Sequence, residues 1–308
     1  MWQRGLTVVL LKETFNMRIY ALELDNNLKG IEQRKQYIES LVAKLQQPDL
    51  VVLPELSLCS YMGSDAIWKY ADENSQRTSK WAIEIAEKYN TFIGVGYVEK
   101  DQGDFYNSYL IADKNKVYGI VRKSEGESYI FKRGNFNNII STPFGEVAVA
   151  ICYDSRRRHF YENVKDRKIS LILFPHGSPG NPKKIETERK TNDFICNTYK
   201  EAFGVPVCYV NSVGKMDFML GRTGKMMHSA GFKLNGLSKI YCSGGTAVKS
   251  EVEEVIGIDI ELISKKRTKD IRFYGDDLIK GNVLFRKFIL KPDIEAGIRF
   301  YEKMKDSL

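Results

Sequence analysis

A single layered α/β domain, with mixed sheets at the centre and helices outside, is what this 308-residue sequence predicts. Short β-branched runs alternate with helix-period segments along most of the chain. No stretch rich in Pro, Ser or Gly divides it. Three of the apolar runs also end in a chemically reactive side chain: "VVLPE" in Glu55, "VYGIVRK" in Lys123 and "VAVAIC" in Cys152.

Taken in order, "MRIYALEL" (17–24) reads as a buried strand. "LKGIEQRKQYIESLVAKLQQ" (28–47) follows as a helix, because Ile31, Tyr37, Ile38, Leu41, Val42 and Leu45 recur near the helical period. "DLVVLPE" (49–55) is too short and too β-branched for a helix. "SKWAIEIAEKYN" (79–90) is a second amphipathic helix before the strands "TFIGVGYV" (91–98), "FYNSYLIAD" (105–113) and "KVYGIVRK" (116–123). The last two are joined at Lys114-Asn115, which suits a hairpin.

A second cycle starts at "NIISTPFGEVAVAIC" (138–152), where 143–145 turn the chain between two strands. "ISLILFP" (169–175) is a strand, and 184–204 a helix that stops at Gly204. Strands at 205–214, 229–236, 237–244 and 253–260 complete the sheet content. Residues 17–263 are expected to form the core domain. Residues 1–16, which precede Met17, are expected to be an N-terminal extension, and 264–308 a tail of the same domain that packs on a partner subunit.

Composition narrows the function classes. Hydrophobic residues make up 43% and charged residues 28%, as in soluble globular proteins. Nothing approaches the ~18 consecutive apolar residues of a membrane span, and the first residues lack a small-residue cleavage site. A cytoplasmic protein with no membrane partner is expected. Lys and Arg outnumber Asp and Glu by 47 to 39, giving +8, but the excess is scattered, with short clusters at 156–158 and 265–267. No basic helix or nucleic-acid signature accompanies it, so no nucleic-acid partner is expected. Five cysteines lie far apart without a CxxC, which argues against a disulfide framework and a thiolate metal site. None of the three histidines stands at ligand spacing from another. Neither a metal nor a cofactor is expected.

Side chains at strand ends of layered α/β folds emerge from a rigid edge into a crevice. A carboxylate, an ammonium and a thiol meeting there form a coherent acyl-transfer set. Free cysteine titrates near ~8.5 and reacts as the thiolate, so it needs help. The carboxylate can take the thiol proton and return it to a leaving amine. The ammonium favours the oxyanion formed on the attacked carbonyl, and the backbone N–H of Tyr153 can add a second donor; losing one such donor typically costs about 10²–10³ in rate.

The motifs carrying these residues resemble the nitrilase-type carbon–nitrogen hydrolase superfamily. "LVVLPELSLCSY" resembles its Glu segment, "YGIVRKSEGESYIFKRGN" its Lys segment and "VAVAICYDSR" its nucleophile segment, in the family's chain order, and the likeness spans about residues 17 to 262. The resemblance implies a four-layer α-β-β-α sandwich of two mixed β-sheets flanked by helices, with subunits paired into at least a homodimer. It implies that Cys152 is the nucleophile, Glu55 the general base and Lys123 the oxyanion-stabilising cation. A second glutamate follows the Lys in this family. Counting back from Gly134, Glu127 takes that place rather than Glu125.

Tyr61, Tyr153, Arg156 and His176 are expected to position substrate. The arginines of "RRRH" (156–159) stand where the family commonly continues Arg-Phe-Pro-Glu, and Arg133 replaces a Pro. The arginines at 156–158 are expected either to grip a substrate carboxylate in bidentate fashion, or to point to solvent or pair with Asp154 or Glu162. Cys-Tyr-Asp after the strand resembles the amidase-like branch. The expected reaction is therefore hydrolysis of a small amide through a cysteine thioester, releasing ammonia. An N-carbamoyl substrate is the alternative, and a non-catalytic binding protein on the same fold a further one. A cysteine protease would instead need His176 as the base for Cys152.

Overall fold

Leu50, Val51 and Val52 are buried on both faces, the pattern of a strand inside a covered sheet. The computed structural model describes residues 14–248 and 254–307. In it this run is strand β2 (Leu50–Val52), flanked in parallel by β1 (Thr14–Leu22) and β3 (Phe92–Asp101). β4 (Asp104–Ala112), β5 (Val117–Arg122) and, at the other edge, β12 (Val255–Ile263) complete the order β12-β1-β2-β3-β4-β5, with a short strand at 72–73 beside β3.

The hairpin expected at 105–123 is present. Asp113 Oδ1 accepts from the N–H groups of Asn115 and Lys116 and closes its turn. A hairpin that periodicity did not single out precedes it: Gln102 and Gly103 both have positive φ, and β3 pairs back on β4.

The second sheet has the order β11-β10-β9-β8-β7-β6. Its strands are β6 (Ile139–Thr142), β7 (Gly145–Val149), β8 (Ile169–His176), β9 (Val207–Asn211), β10 (Lys239–Cys242) and β11 (Gly245–Ala247). β7, β8 and β9 run parallel, and the other pairs are antiparallel. The two sheets pack face to face through Ile19, Val52, Tyr109, Val149, Leu173 and Val210.

The outer face of the first sheet takes helices α1 (Ile31–Val42) and α2 (Gln76–Tyr89) through Leu22, Ile38, Trp81 and Ile85. The outer face of the second takes α3 (Arg158–Val164) and α4 (Ile185–Phe203) through Phe160, Phe174 and Tyr199. The result is the four-layer α-β-β-α sandwich.

β1 begins at Thr14, three residues inside the segment expected to be an extension; 1–13 lie outside the described residues. The strand expected at 229–236 is shorter, Lys233–Asn235, and follows a helix that the sequence did not announce, α5 (Gly221–Ser229). The segment after 264 packs on its own chain. It ends in α6 (Lys291–Met304), whose Tyr301 hydroxyl accepts the Phe105 N–H at 2.9 Å and donates to Asp104 Oδ1 at 3.0 Å.

Candidate active site

The three strand ends converge. Glu55 lies just past β2 on a tight loop with Leu56 at φ 52° and Ser60 at φ 70°. That loop rests directly on β3, where a Cβ at Gly96 would meet the Pro54 carbonyl oxygen at 2.5 Å. Only glycine permits the approach. The buried Arg34 of α1 holds the loop from behind, donating to the Ser57 carbonyl at 2.6 Å.

Glu55 is fully buried and each of its oxygens is engaged. Oε1 accepts from Lys123 Nζ at 2.6 Å and from Asn107 Nδ2 at 2.7 Å. Oε2 accepts from the Gly177 N–H at 2.6 Å. Lys123, at the end of β5, is equally buried; its ammonium also donates to Glu127 Oε1 at 2.8 Å, which takes the Tyr61 hydroxyl at 2.9 Å as well.

The two carboxylates thus share one ammonium, and their titrations part. Burial, aided by the Glu127 charge, pushes the Glu55 carboxyl above the ordinary range against the pull of Lys123. At Glu127 burial acts in the same sense, but the Lys123 charge and hydrogen bond outweigh it and hold the group below that range. Lys123 loses to burial but gains more from Glu127 and Glu55, so its ammonium is held well above its usual value. Carboxylates driven apart in this way divide the proton-transfer and charge-holding roles between them.

Cys152 follows β7 at φ 52°, a left-handed conformation rarely adopted by a residue with a side chain, and opens a short turn, Cys152–Arg156. It is 8% exposed and lines a cavity of about 870 Å³ together with Lys123, Glu127 and Tyr61. Burial, the Glu55 charge and, less strongly, Glu127 and a hydrogen bond with Glu55 push its thiol well above the usual range, against Lys123. The sulfur therefore rests protonated, with Glu55 next to its proton. Burial together with the two carboxylates outweighs the one cation.

The remaining expected site residues separate. Tyr61 and Glu127 join the cluster. The Tyr153 hydroxyl donates to Asp277 Oδ2 at 3.2 Å, and Arg156 Nε donates to Asp277 Oδ1 at 2.9 Å. The arginine pairing expected with Asp154 or Glu162 is replaced by Asp277 for Arg156 and by Glu125 and Asp277 for Arg157. Asp277 lies more than a hundred residues away, so sequence spacing could not find it. Glu125 takes Arg133 and Arg157.

His176, at the end of β8, packs in a tilted contact against Tyr209 with ring centroids 4.4 Å apart, and its Nε2 lies 3.4 Å from Ser155 Oγ. Burial, with the Lys123 charge, pushes it down to about 3. A ring so reluctant to take a proton is a poor base, which weakens the protease alternative.

Sequence reasoning missed Asn107, Gly177 and Asp154. The first two carry no local signal. Asp154 was visible in "CYD", but its task was not: fully buried, it accepts the Ser124 N–H at 2.8 Å and the Glu125 N–H at 2.7 Å, the two peptides after Lys123. Burial raises its carboxyl to about 6. Among the described residues no group of three or more His, Cys, Asp or Glu could hold a metal ion, and no helix is long and apolar enough to cross a membrane.

The fold is a two-sheet α/β sandwich with a strained cysteine and a buried Glu–Lys–Glu cluster lining one cavity. Residues 14–269 match the carbon-nitrogen hydrolase family, and the chain belongs to it.

It is 23% identical over 223 residues to a glutamine-dependent NAD(+) synthetase of Rhodobacter capsulatus, a match covering 69% of this chain and 37% of that protein. With an omega-amidase of Xenopus laevis it shares 25% identity over 142 residues, 41% of this chain and 50% of the other. The chain thus spans half or less of the curated relatives it matches. A carbon-nitrogen hydrolase structure from Helicobacter pylori G27 superposes with a TM-score of 0.65 at 18% identity, covering 80% of this chain and 89% of that one, a likeness of fold.

Proposed function

We propose that the chain hydrolyses the carbon–nitrogen bond of a primary amide through a thioester on Cys152. The supporting observation is the buried ammonium of Lys123, at 2.6 Å from Glu55 and 2.8 Å from Glu127, lining the same cavity as the strained Cys152.

In this reading the Cys152 sulfur attacks the amide carbonyl carbon while its proton passes to Glu55. A carbon–sulfur bond forms, and the carbonyl oxygen becomes an oxyanion stabilised by Lys123. Glu55 returns the proton to nitrogen, the carbon–nitrogen bond breaks and ammonia leaves. Water, deprotonated by Glu55, then attacks the thioester; the acid departs and the thiol is re-formed. One amide and one water give one acid and one ammonia. Glu127 stays ionised throughout, orienting Lys123. Its Oε2 has no protein partner and serves as an acceptor for the substrate's N–H.

A free amide is favoured over an N-carbamoyl acid. Of the arginines at 156–158 expected to grip a substrate carboxylate, Arg156 and Arg157 are engaged with Asp277.

The test is ammonia release from a panel of primary amides together with intact-mass measurement of the protein. The proposal expects an acyl adduct on Cys152 whose mass follows the amide used, and loss of both signals in Cys152→Ala. Ammonia release that survives Cys152→Ala rejects it.

A further inference from the structure

The cavity holding Cys152 is far larger than a small amide requires. Its volume of about 870 Å³ falls within the roughly 300–1,000 Å³ of sites that enclose drug-sized ligands. Polar groups gather where Cys152, Lys123, Glu127 and Tyr61 meet. Away from them the wall is supplied by Met219, Met227, Phe232, Phe285, Leu290 and Ile294.

The charged side chains that line the cavity are already engaged within the chain. Arg156 and Arg286 pair with Asp277, Arg133 with Glu125, Lys132 with Asp104, and Glu302 with Lys305. Asp293 accepts from the Arg222 and Thr223 N–H groups, the Thr223 hydroxyl and the Tyr129 hydroxyl. Each charged lining side chain thus has a partner within the chain, Arg156 and Arg286 sharing the one carboxylate of Asp277. A charged tail would compete with these pairings, and along the apolar wall it would be desolvated.

Half of this wall lies beyond the part of the chain that the family match covers. The family match ends at residue 269, whereas Phe285, Leu290 and Ile294 belong to the helical segment 283–304. That segment packs against the site: Asp293 caps α5, and a Cβ at Gly297 would clash with Ser128 Oγ, next to Glu127. Methionines supply an adaptable apolar surface that accommodates flexible chains.

On the reading of Cys152 as an amide-cleaving nucleophile, the geometry points to a substrate class: primary amides whose acyl group is a long apolar chain. The carbonyl sits at Cys152 and the chain lies along Met219, Met227, Phe285 and Ile294. Each methylene buried there raises kcat/KM by up to about 4-fold.

The experiment compares butyramide, decanamide and glutamine by ammonia release, using the full chain and its Ile294→Glu and Ile294→Leu variants. Decanamide is expected to exceed butyramide by at least about 100-fold in kcat/KM, with glutamine below both. Ile294→Glu should cut the decanamide-to-butyramide ratio at least about 10-fold, and Ile294→Leu should keep it. A flat ratio, or preference for glutamine, overturns the channel while leaving Cys152-dependent hydrolysis standing.

Should no amide be turned over, the catalytic reading fails separately, and calorimetric binding to Cys152→Ala still decides the channel. Decanamide must then bind at least about 10-fold more tightly than butyramide; equal affinities overturn the proposal. Sedimentation of Ile294→Glu supplies the remaining arm. A change in particle mass would show the wall to be a contact between copies of the chain, and the proposal falls.

Discussion

The backbone N–H of Ser124 donates to Asp154 Oδ2 at 2.8 Å, and this bond joins the loop after Lys123 to the turn after Cys152. Lys123 and Cys152 come from different sheets, the first sheet ending in β5 and the second carrying β7. Asp154 accepts the Glu125 N–H at 2.7 Å as well, so one buried carboxylate fixes the registry between the two strand ends.

Asp154→Asn should therefore lower activity without removing a reacting group. The amide oxygen can accept one N–H, but its NH₂ faces the other donor. A displacement of Lys123 by about 1 Å is enough to cost on the order of 10² in rate. The expectation is a fall in kcat larger than any rise in KM, with the circular dichroism spectrum retained. Steady-state kinetics on a reactive amide checks it; a change confined to KM would reject the positioning role.

Glu55→Gln removes the proton acceptor while keeping a group that can accept from Lys123. General-base loss typically costs 10²–10⁴-fold, and a drop in kcat/KM of about that size is expected. The acyl adduct on Cys152 should form correspondingly more slowly when followed by mass spectrometry. A variant within about 3-fold of the parent would remove Glu55 from the mechanism.

His176 gives a pH signature in stability rather than in catalysis. Burial lowers its pKa to about 3, against about 6.5 for an exposed histidine. Because the folded value is the lower one, the unfolded chain takes up the proton first as pH falls. The stability contributed by the neutral ring is complete above about 6.5 and drains away towards 3, at up to about 1.4 kcal/mol per pH unit. Urea unfolding at several pH values should show the parent losing stability relative to His176→Gln between pH 6.5 and 4. Parallel curves would contradict this. In the same pH range His176→Gln should retain substantial amidase activity.

Tyr301→Phe tests the anchorage of α6. The hydroxyl accepts the buried Phe105 N–H and donates to Asp104. Removing it leaves that N–H unpaired, which costs about 1–3 kcal/mol. Denaturant unfolding should report a loss of this size. A change below about 0.5 kcal/mol would mean that the tail is held elsewhere, by Asp293 or Lys305.

The alternation of apolar runs determined the layered architecture in advance. Strands such as 50–52 and 169–176 must be buried on both faces, and a run of β-branched residues too short for a helix can satisfy that only within a covered sheet. Glu55, Lys123 and Cys152 were legible for the same reason, as reactive residues ending such runs. α5 was not. Its first N–H groups are capped by Asp293, about seventy residues away, so no local pattern marks its start. Asp277 and Asn107 were equally hidden, because a charge partner or hydrogen-bond donor supplied from a distant part of the chain leaves no trace in spacing. Only the folded chain decided protonation: burial favours the thiol and raises Glu55, whereas contact with Lys123 keeps Glu127 ionised. Periodicity encodes which face of an element is dry; which charges meet once it is dry is settled by long-range packing.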